Sequence, residues 1–175
     1  RYAAEKDYIP ISANFIGNWS VKSHWQVYAE EAEKHGRTAD PEVWRVARNI
    51  HVGETDAEAE AFVKEAGGSC DWYFDYLYRI FDRAQMKGAF VVNKGDEADD
   101  LTHEALRDNY TLYGSPDTVA EKILAFREEI GHFGTLMLTA QDWTDADAMK
   151  RSMKLLAEEV MPKVNAAIGS QEAAE

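Results

Sequence analysis

Between Tyr8 and Asn14 apolar and polar positions alternate, with Ile9 and Ile11 set against Ser12 and Asn14, the period of a strand that ends in polar residues. A loop with Gly17 and Ser20 follows. Val21, Trp25, Tyr28, Ala29 and Ala32 then recur at helical spacing, and His35-Gly36 signals the helix end. In the next stretch Trp44, Val46, Ile50 and Val52 share one parity while Arg45, Ala47, Asn49 and His51 share the other, which predicts a second strand.

Thr55-Asp-Ala-Glu58 is a capping box, a helix start whose hydroxyl and carboxylate satisfy free backbone donors. That helix is predicted to run to Ala66, where Gly67-Gly68 breaks it. Ser115 opens another helix, with Pro116 at its first position, Asp117 at the positive end of its dipole, and Val119, Ile123, Phe126 and Ile130 as its buried stripe. Gly131 and Gly134 turn the chain into a strand from Leu136 to Thr139. Met149, Met153, Leu156 and Val160 line a last helix expected to stop near Pro162, and the tail from Gly169 is expected to fray. Strand and helix alternate as in a parallel α/β protein. The whole of 1–175 reads as a single partial domain: three strands cannot close a barrel, and they leave open edges unless a partner chain or a second copy covers them.

Composition narrows the function. The 175 residues carry a net charge of −13, from 32 acidic and 19 basic residues, which opposes binding to nucleic acid or to an anionic membrane surface. No apolar run is long enough to span a bilayer and no secretion signal is visible, so a cytoplasmic location is expected. Arg1, at the start of what reads as a helix end, suggests a fragment. Cys70 is the single cysteine, which excludes an internal disulfide and points to a packed residue rather than a nucleophile. His24, His35, His51, His103 and His132 lack ligand spacing, so no metal site is expected. Glycine-rich nucleotide loops and a nucleophile elbow are absent.

Candidate chemistry follows from strand parity. In a barrel the apolar parity faces the helices and the other faces the interior, with sites at the carboxyl ends of the strands. Asn49 and His51 therefore point inward near such a site, either as satisfied interior polar residues or as cofactor contacts. Ser12 and Asn14 after the first strand, and Thr139 and Gln141 after the last, face the same two readings. Ser115 at a helix start is a plain N-cap or, alternatively, an anion site. From Gly67 to Leu112 the chain is too long for a simple connection. Tyr73, Leu77, Ile80, Phe81 and Ala84 form a turn-spaced set able to dock a helix, which leaves Trp72 and Tyr76 as candidates for a substrate-pocket wall.

Several of these motifs occur together in one family. The strand from Trp44-Arg45 to His51-Val-Gly-Glu-Thr55, the helix start Gly114-Ser-Pro-Asp-Thr-Val119 and the ending Glu158-Glu-Val-Met-Pro162 follow the order seen in the luciferase-like flavin-dependent monooxygenases, the group of bacterial luciferase and alkanal monooxygenase. The chain resembles their carboxyl-terminal half. The resemblance implies an α/β fold that is the last part of a (β/α)8 TIM-type barrel, with about three parallel strands, flanking helices and a helical lid insertion at 67–112. It implies reduced FMN, or in one branch the deazaflavin F420, bound at the carboxyl end of the barrel, where strand parity makes Ser12, Asn14, Asn49 and His51 the cofactor-side residues. Trp72 and Tyr76 then serve as lid or substrate residues, and no catalytic residue is assigned. The implied reaction is oxygenation of a small aldehyde, ketone or terpene-like compound by O2, with a separate flavin reductase, a missing amino-terminal half of the barrel and a homo-oligomer as partners. The alternatives are a non-catalytic flavoprotein or structural subunit, and an F420-dependent hydride-transfer enzyme.

Overall fold

A computed structural model describes residues 1–141 and 143–172. A short helix α1 (Tyr2–Glu5) precedes β1 (Ile11–Ser12) and the long helix α2 (Asn18–Lys34). The central strand β2 (Arg45–Val52) leads into α3 (Asp56–Val63), α4 (Ser69–Arg83) and α5 (His103–Tyr110). There follow β3 (Thr111–Gly114), α6 (Pro116–Ile130), β4 (Thr135–Thr139), α7 (Ala146–Leu155) and α8 (Met161–Glu172).

All pairings are parallel and all involve β2. Residues 45–46 of β2 pair with β1, residues 49–52 with β3, and residues 45–49 with β4. A strand has two edges. Because Asn49 pairs with Thr139 on one edge and Thr111 on the other, β3 continues along the edge that β1 occupies lower down. β3 is thus a fourth strand beyond the three expected, and its four residues are too few to show a period.

Among the described residues, Val46 packs in the largest of three apolar clusters with Trp44, Phe74, Phe81, Phe126 and Ile130. Ile50 and Val52 pack in the second with Val119, Ile123, Val160 and Val164, from α6 and the closing helical segment. The even positions of β2 therefore face the helices, as the parity required. The segment 67–112 is no appendage. Cys70, Phe74, Leu77 and Phe81 of α4, with Leu101, Leu106 and Tyr110, belong to the main core, and Asp71 holds the buried Arg107 of α5 at 2.7 Å. In the docking set expected for α4, Phe74 stands where Ile80 was placed, and Ile80 is exposed.

At Thr55 the capping box forms with one change. The hydroxyl accepts from the Glu58 amide, while the Glu58 carboxylate reaches the amide of Glu54 rather than that of Thr55. Helix α3 ends at Val63, three residues earlier than Ala66. Pro162 does not stop the last helix. A π-helical turn at Leu156–Val160 widens the backbone just before it, which accommodates the proline ring and its missing N–H, and the helix continues to Glu172.

The free edge of β1 is exposed, with Tyr8, Ile9 and Ile11 all facing solvent. Among the described residues no helix is long and apolar enough to cross a membrane.

Candidate functional site

Parallel strands bring their carboxyl ends to one side, and there the polar residues of three strands converge on Asn49. Its Oδ1 accepts from Asn14 Nδ2 at 2.9 Å, from Thr139 Oγ1 at 3.0 Å and from Gln141 Nε2 at 2.8 Å. Its Nδ2 donates to the carbonyl of Tyr110 at 3.1 Å, which fixes the orientation of the amide. Asn49 is almost fully buried. Three donors on one oxygen make a rigid hub, and the second hydrogen of Asn14 Nδ2 extends it to the Tyr73 hydroxyl at 3.2 Å.

Beside the hub opens a cavity of about 270 Å³ lined by Ser69, Trp72, Tyr73, Ala140 and Gln141. Trp72 stacks on Tyr76 with ring centroids 5.4 Å apart and planes 6° from parallel. These rings are 58% and 48% exposed, so the pair is a surface wall and not core. Of this group the sequence singled out Asn14, Asn49, Thr139, Gln141, Trp72 and Tyr76. Tyr73 escaped, because its turn spacing also suits a docking residue; the signal was its position next to Trp72.

The other candidates lie elsewhere. Ser12 does not face the hub: its hydroxyl accepts from Trp44 Nε1 at 3.0 Å and meets His24 Nδ1 at 3.1 Å, on the side of β1 covered by α2. Its parity within a two-residue strand turns it toward the helices. Asn14 has the same parity, but it follows the strand and is free to turn inward. His51 is buried and lies flat against Phe62, centroids 3.9 Å apart and planes 1° from parallel. It lines a separate cavity of about 250 Å³ with Glu58, Asp145 and Arg151. Its Nδ1 is buried without a hydrogen-bond partner, and burial pushes its pKa down to about 4, so the ring is neutral.

Ser115 is a cap and not an anion cradle. Its Oγ accepts from the Thr118 amide, and its own N–H is taken by Asp56 Oδ1 at 2.7 Å. Cys70 is buried against Thr111, and burial pushes the thiol up to about 11, which leaves it protonated and unreactive. His132 lies at the amino end of β4, bonded to Glu42 and Arg127, on the side opposite the hub. No group of described residues is arranged to hold a metal ion.

Arg48, a buried cation beside the hub, was missed. It shares the outward parity of Val46 and Ile50 yet is 1% exposed. Its guanidinium donates to the carbonyls of Ala13, Ala47 and Ile16 and to Asn18 Oδ1, and lies 4.4 Å from the centre of the Phe126 ring. It fastens the loop that carries Asn14.

No protein-family profile matches the chain. The chain is 38% identical over 166 residues to 3,6-diketocamphane 1,6-monooxygenase of Pseudomonas putida, which covers 94% of this chain and 43% of that protein. It is 32% identical over 167 residues to 2,5-diketocamphane 1,2-monooxygenase 2 of the same organism, covering 94% of this chain and 46% of the relative. A solved structure described as a type II Baeyer-Villiger monooxygenase, the oxygenating constituent of 3,6-diketocamphane monooxygenase from Pseudomonas putida in complex with FMN, superposes with a TM-score of 0.80 at 37% identity. That match covers 93% of this chain and 44% of the other. The chain spans less than half the length of the relatives it matches, and its strands and helices form part of a TIM-type barrel.

Proposed function

We propose that this chain, a relative of the luciferase-like flavin-dependent monooxygenases, supplies the carboxyl-terminal part of a barrel that uses reduced FMN and O2 to oxygenate a small alicyclic ketone. The observation that carries the reading is the Asn49 hub. Asn14 after β1 and Thr139 and Gln141 at the end of β4 are locked onto Asn49 of β2 at the carboxyl side of the sheet, beside an aromatic-walled cavity, where barrel enzymes place their chemistry.

The residues present fit the ring of a flavin. With its nitrogen committed to the hub and to Tyr73, Asn14 offers its side-chain carbonyl oxygen to the donors on a flavin edge; Gln141 offers its carbonyl oxygen and its second Nε2 hydrogen, and Asn49 holds both residues in place. The helix start at Ser115 does not fit its phosphate, since the Ser115 N–H is already taken by Asp56. Bound FMN supplies the two-electron chemistry that activates oxygen. The chain orients the ring, walls the substrate with Trp72 and Tyr76, and keeps water from the hub by burying it. His51, neutral and with an unpaired nitrogen, remains a candidate contact at the rim of the same face.

Further parts of the reading concern partners. The open edges of β1 and β4 are where the remaining strands of the barrel pair, and a separate reductase provides the reduced flavin. We place the enzyme in the cytoplasm, where Cys70 stays a thiol. Within 67–112, α4 and α5 are anchored in the core, so the moving part of the lid is the exposed stretch 92–100 between them. The test is FMN binding by a complete barrel carrying this chain, followed by flavin fluorescence. Asn14→Ala and Gln141→Ala are each expected to weaken binding by about tenfold, the range of a hydrogen bond to the ring. A barrel that binds F420 and not FMN overturns the cofactor assignment.

A further inference from the structure

The cavity beside the hub has an apolar wall and a polar corner, and the corner is set by Tyr73. Its phenol oxygen accepts from Asn14 Nδ2 at 3.2 Å. A phenol donates one hydrogen as well as accepting. Among the described residues no acceptor takes that hydrogen, and the Tyr73 side chain lines the cavity formed with Ser69, Trp72, Ala140 and Gln141. Asn14 is in turn held by Asn49, so the phenol is aimed by a buried amide pair and not by solvent. The Tyr73 ring packs against the main core and meets Phe74 edge-on, centroids 5.1 Å apart at 76°, which restrains it further.

We propose that Tyr73 is the specificity-determining donor of this pocket: its hydroxyl holds the carbonyl oxygen of a ketone substrate while the face of Trp72 holds the hydrocarbon cage. This rests on the ketone reading given above and names the residue that would recognise the oxygen. The pocket separates the two ends of such a molecule. Gln141 gives one Nε2 hydrogen to Asn49 and keeps a second beside its carbonyl oxygen, so Tyr73 is singled out by its restrained, uncommitted hydroxyl and not by the lack of another donor. Burial raises the pKa of the Tyr73 phenol above its ordinary range, so it keeps its proton and remains a donor through the neutral range. A site built to hydrogen-bond an oxygen rejects the analogue that lacks it, because a donor covered by the ligand is then left unpaired.

The experiment is a pair of NMR titrations of the full chain, with camphor and with camphane, the same cage without the oxygen. The chain is expected to bind camphor about tenfold more tightly than camphane. Tyr73→Phe should bring the two within about twofold of each other with the camphane affinity unchanged. Trp72→Ala should weaken both together. Tyr78→Phe, which removes a hydroxyl away from the cavity, should keep the preference for camphor. A Tyr73→Phe chain that still prefers camphor as strongly as the unaltered chain overturns the proposal, and so does an unaltered chain that binds neither compound or both alike. The titration needs no flavin. Preference for the ketone without FMN uptake by the complete barrel would therefore overturn the flavin reading alone, and FMN uptake with no ketone preference would overturn this one alone.

Discussion

Asn14 and Asn49, 35 positions apart in the chain, meet at 2.9 Å where β1 and β2 end, and this contact joins the loop after one strand to the interior of the next. Replacing Asn49 by leucine keeps the volume but leaves Asn14 Nδ2, Thr139 Oγ1, Gln141 Nε2 and the Tyr110 carbonyl without their partner. Each buried polar group so stranded costs about 1 to 3 kcal/mol. Partial rewetting offsets some of that, so Asn49→Leu is expected to destabilise the chain by about 3 kcal/mol. Urea unfolding checks this, and a loss below about 1 kcal/mol would mean that the hub is not a structural unit.

Arg48 is the second buried support. Arg48→Met preserves most of the aliphatic contact but removes the donors to Ala13, Ile16 and Asn18 and the charge over Phe126. The expected loss is about 3 kcal/mol, and Arg48→Lys should restore little of it because a lysine ammonium cannot span carbonyls that a planar fork reaches together. Full rescue by lysine in the same unfolding assay would contradict that assignment.

His51 predicts a pH dependence. Its folded pKa is pushed down to about 4 by burial, against about 6.5 in an unfolded chain. As pH falls the unfolded chain takes the proton first, so the stability tied to a neutral His51 is complete above about pH 6.5 and is lost toward pH 4. The loss amounts to about 3 kcal/mol at most. His51→Gln should flatten the stability profile across that window relative to the unaltered chain. Parallel profiles would show that the imidazole is not held neutral.

Proteolysis should find the stretch between α4 and α5. Lys94 is exposed beside Gly95, whose φ of 102° only glycine adopts without strain, whereas Lys87 is held against Asp82 and Asp99. Limited trypsin digestion is expected to cut first after Lys94. A first cut within α6 would remove the lid assignment.

What could be read from the sequence divides along physical lines. The inward parity of Asn49 was legible because β2 is long enough for its period to show, and the start of α6 was legible because Ser115, Pro116 and Asp117 each act locally. Ser12 was misplaced because a two-residue strand carries no usable parity. The hub-side role of Tyr73, which the turn spacing marked only for docking, and the role of Arg48 were missed for a different reason. Their roles come from partners such as Asn14 and Phe126 that lie far away in the chain; a place next to Trp72 hinted at the pocket for Tyr73, but no local pattern encodes the contacts themselves. The same holds for Pro162, where a π-helical turn formed by its neighbours overrides the usual stop signal.

On the proposed function, this chain serves an enzyme that places one oxygen atom from O2 into a ketone. The most direct measurement supplies a complete barrel carrying this chain with reduced FMN, a bicyclic ketone and isotopically heavy O2, and follows the product by mass spectrometry. The predicted result is a product containing one heavy oxygen atom, formed with the unaltered chain and sharply reduced by Tyr73→Phe. A product without heavy oxygen, or the ketone merely reduced to its alcohol, would contradict the account.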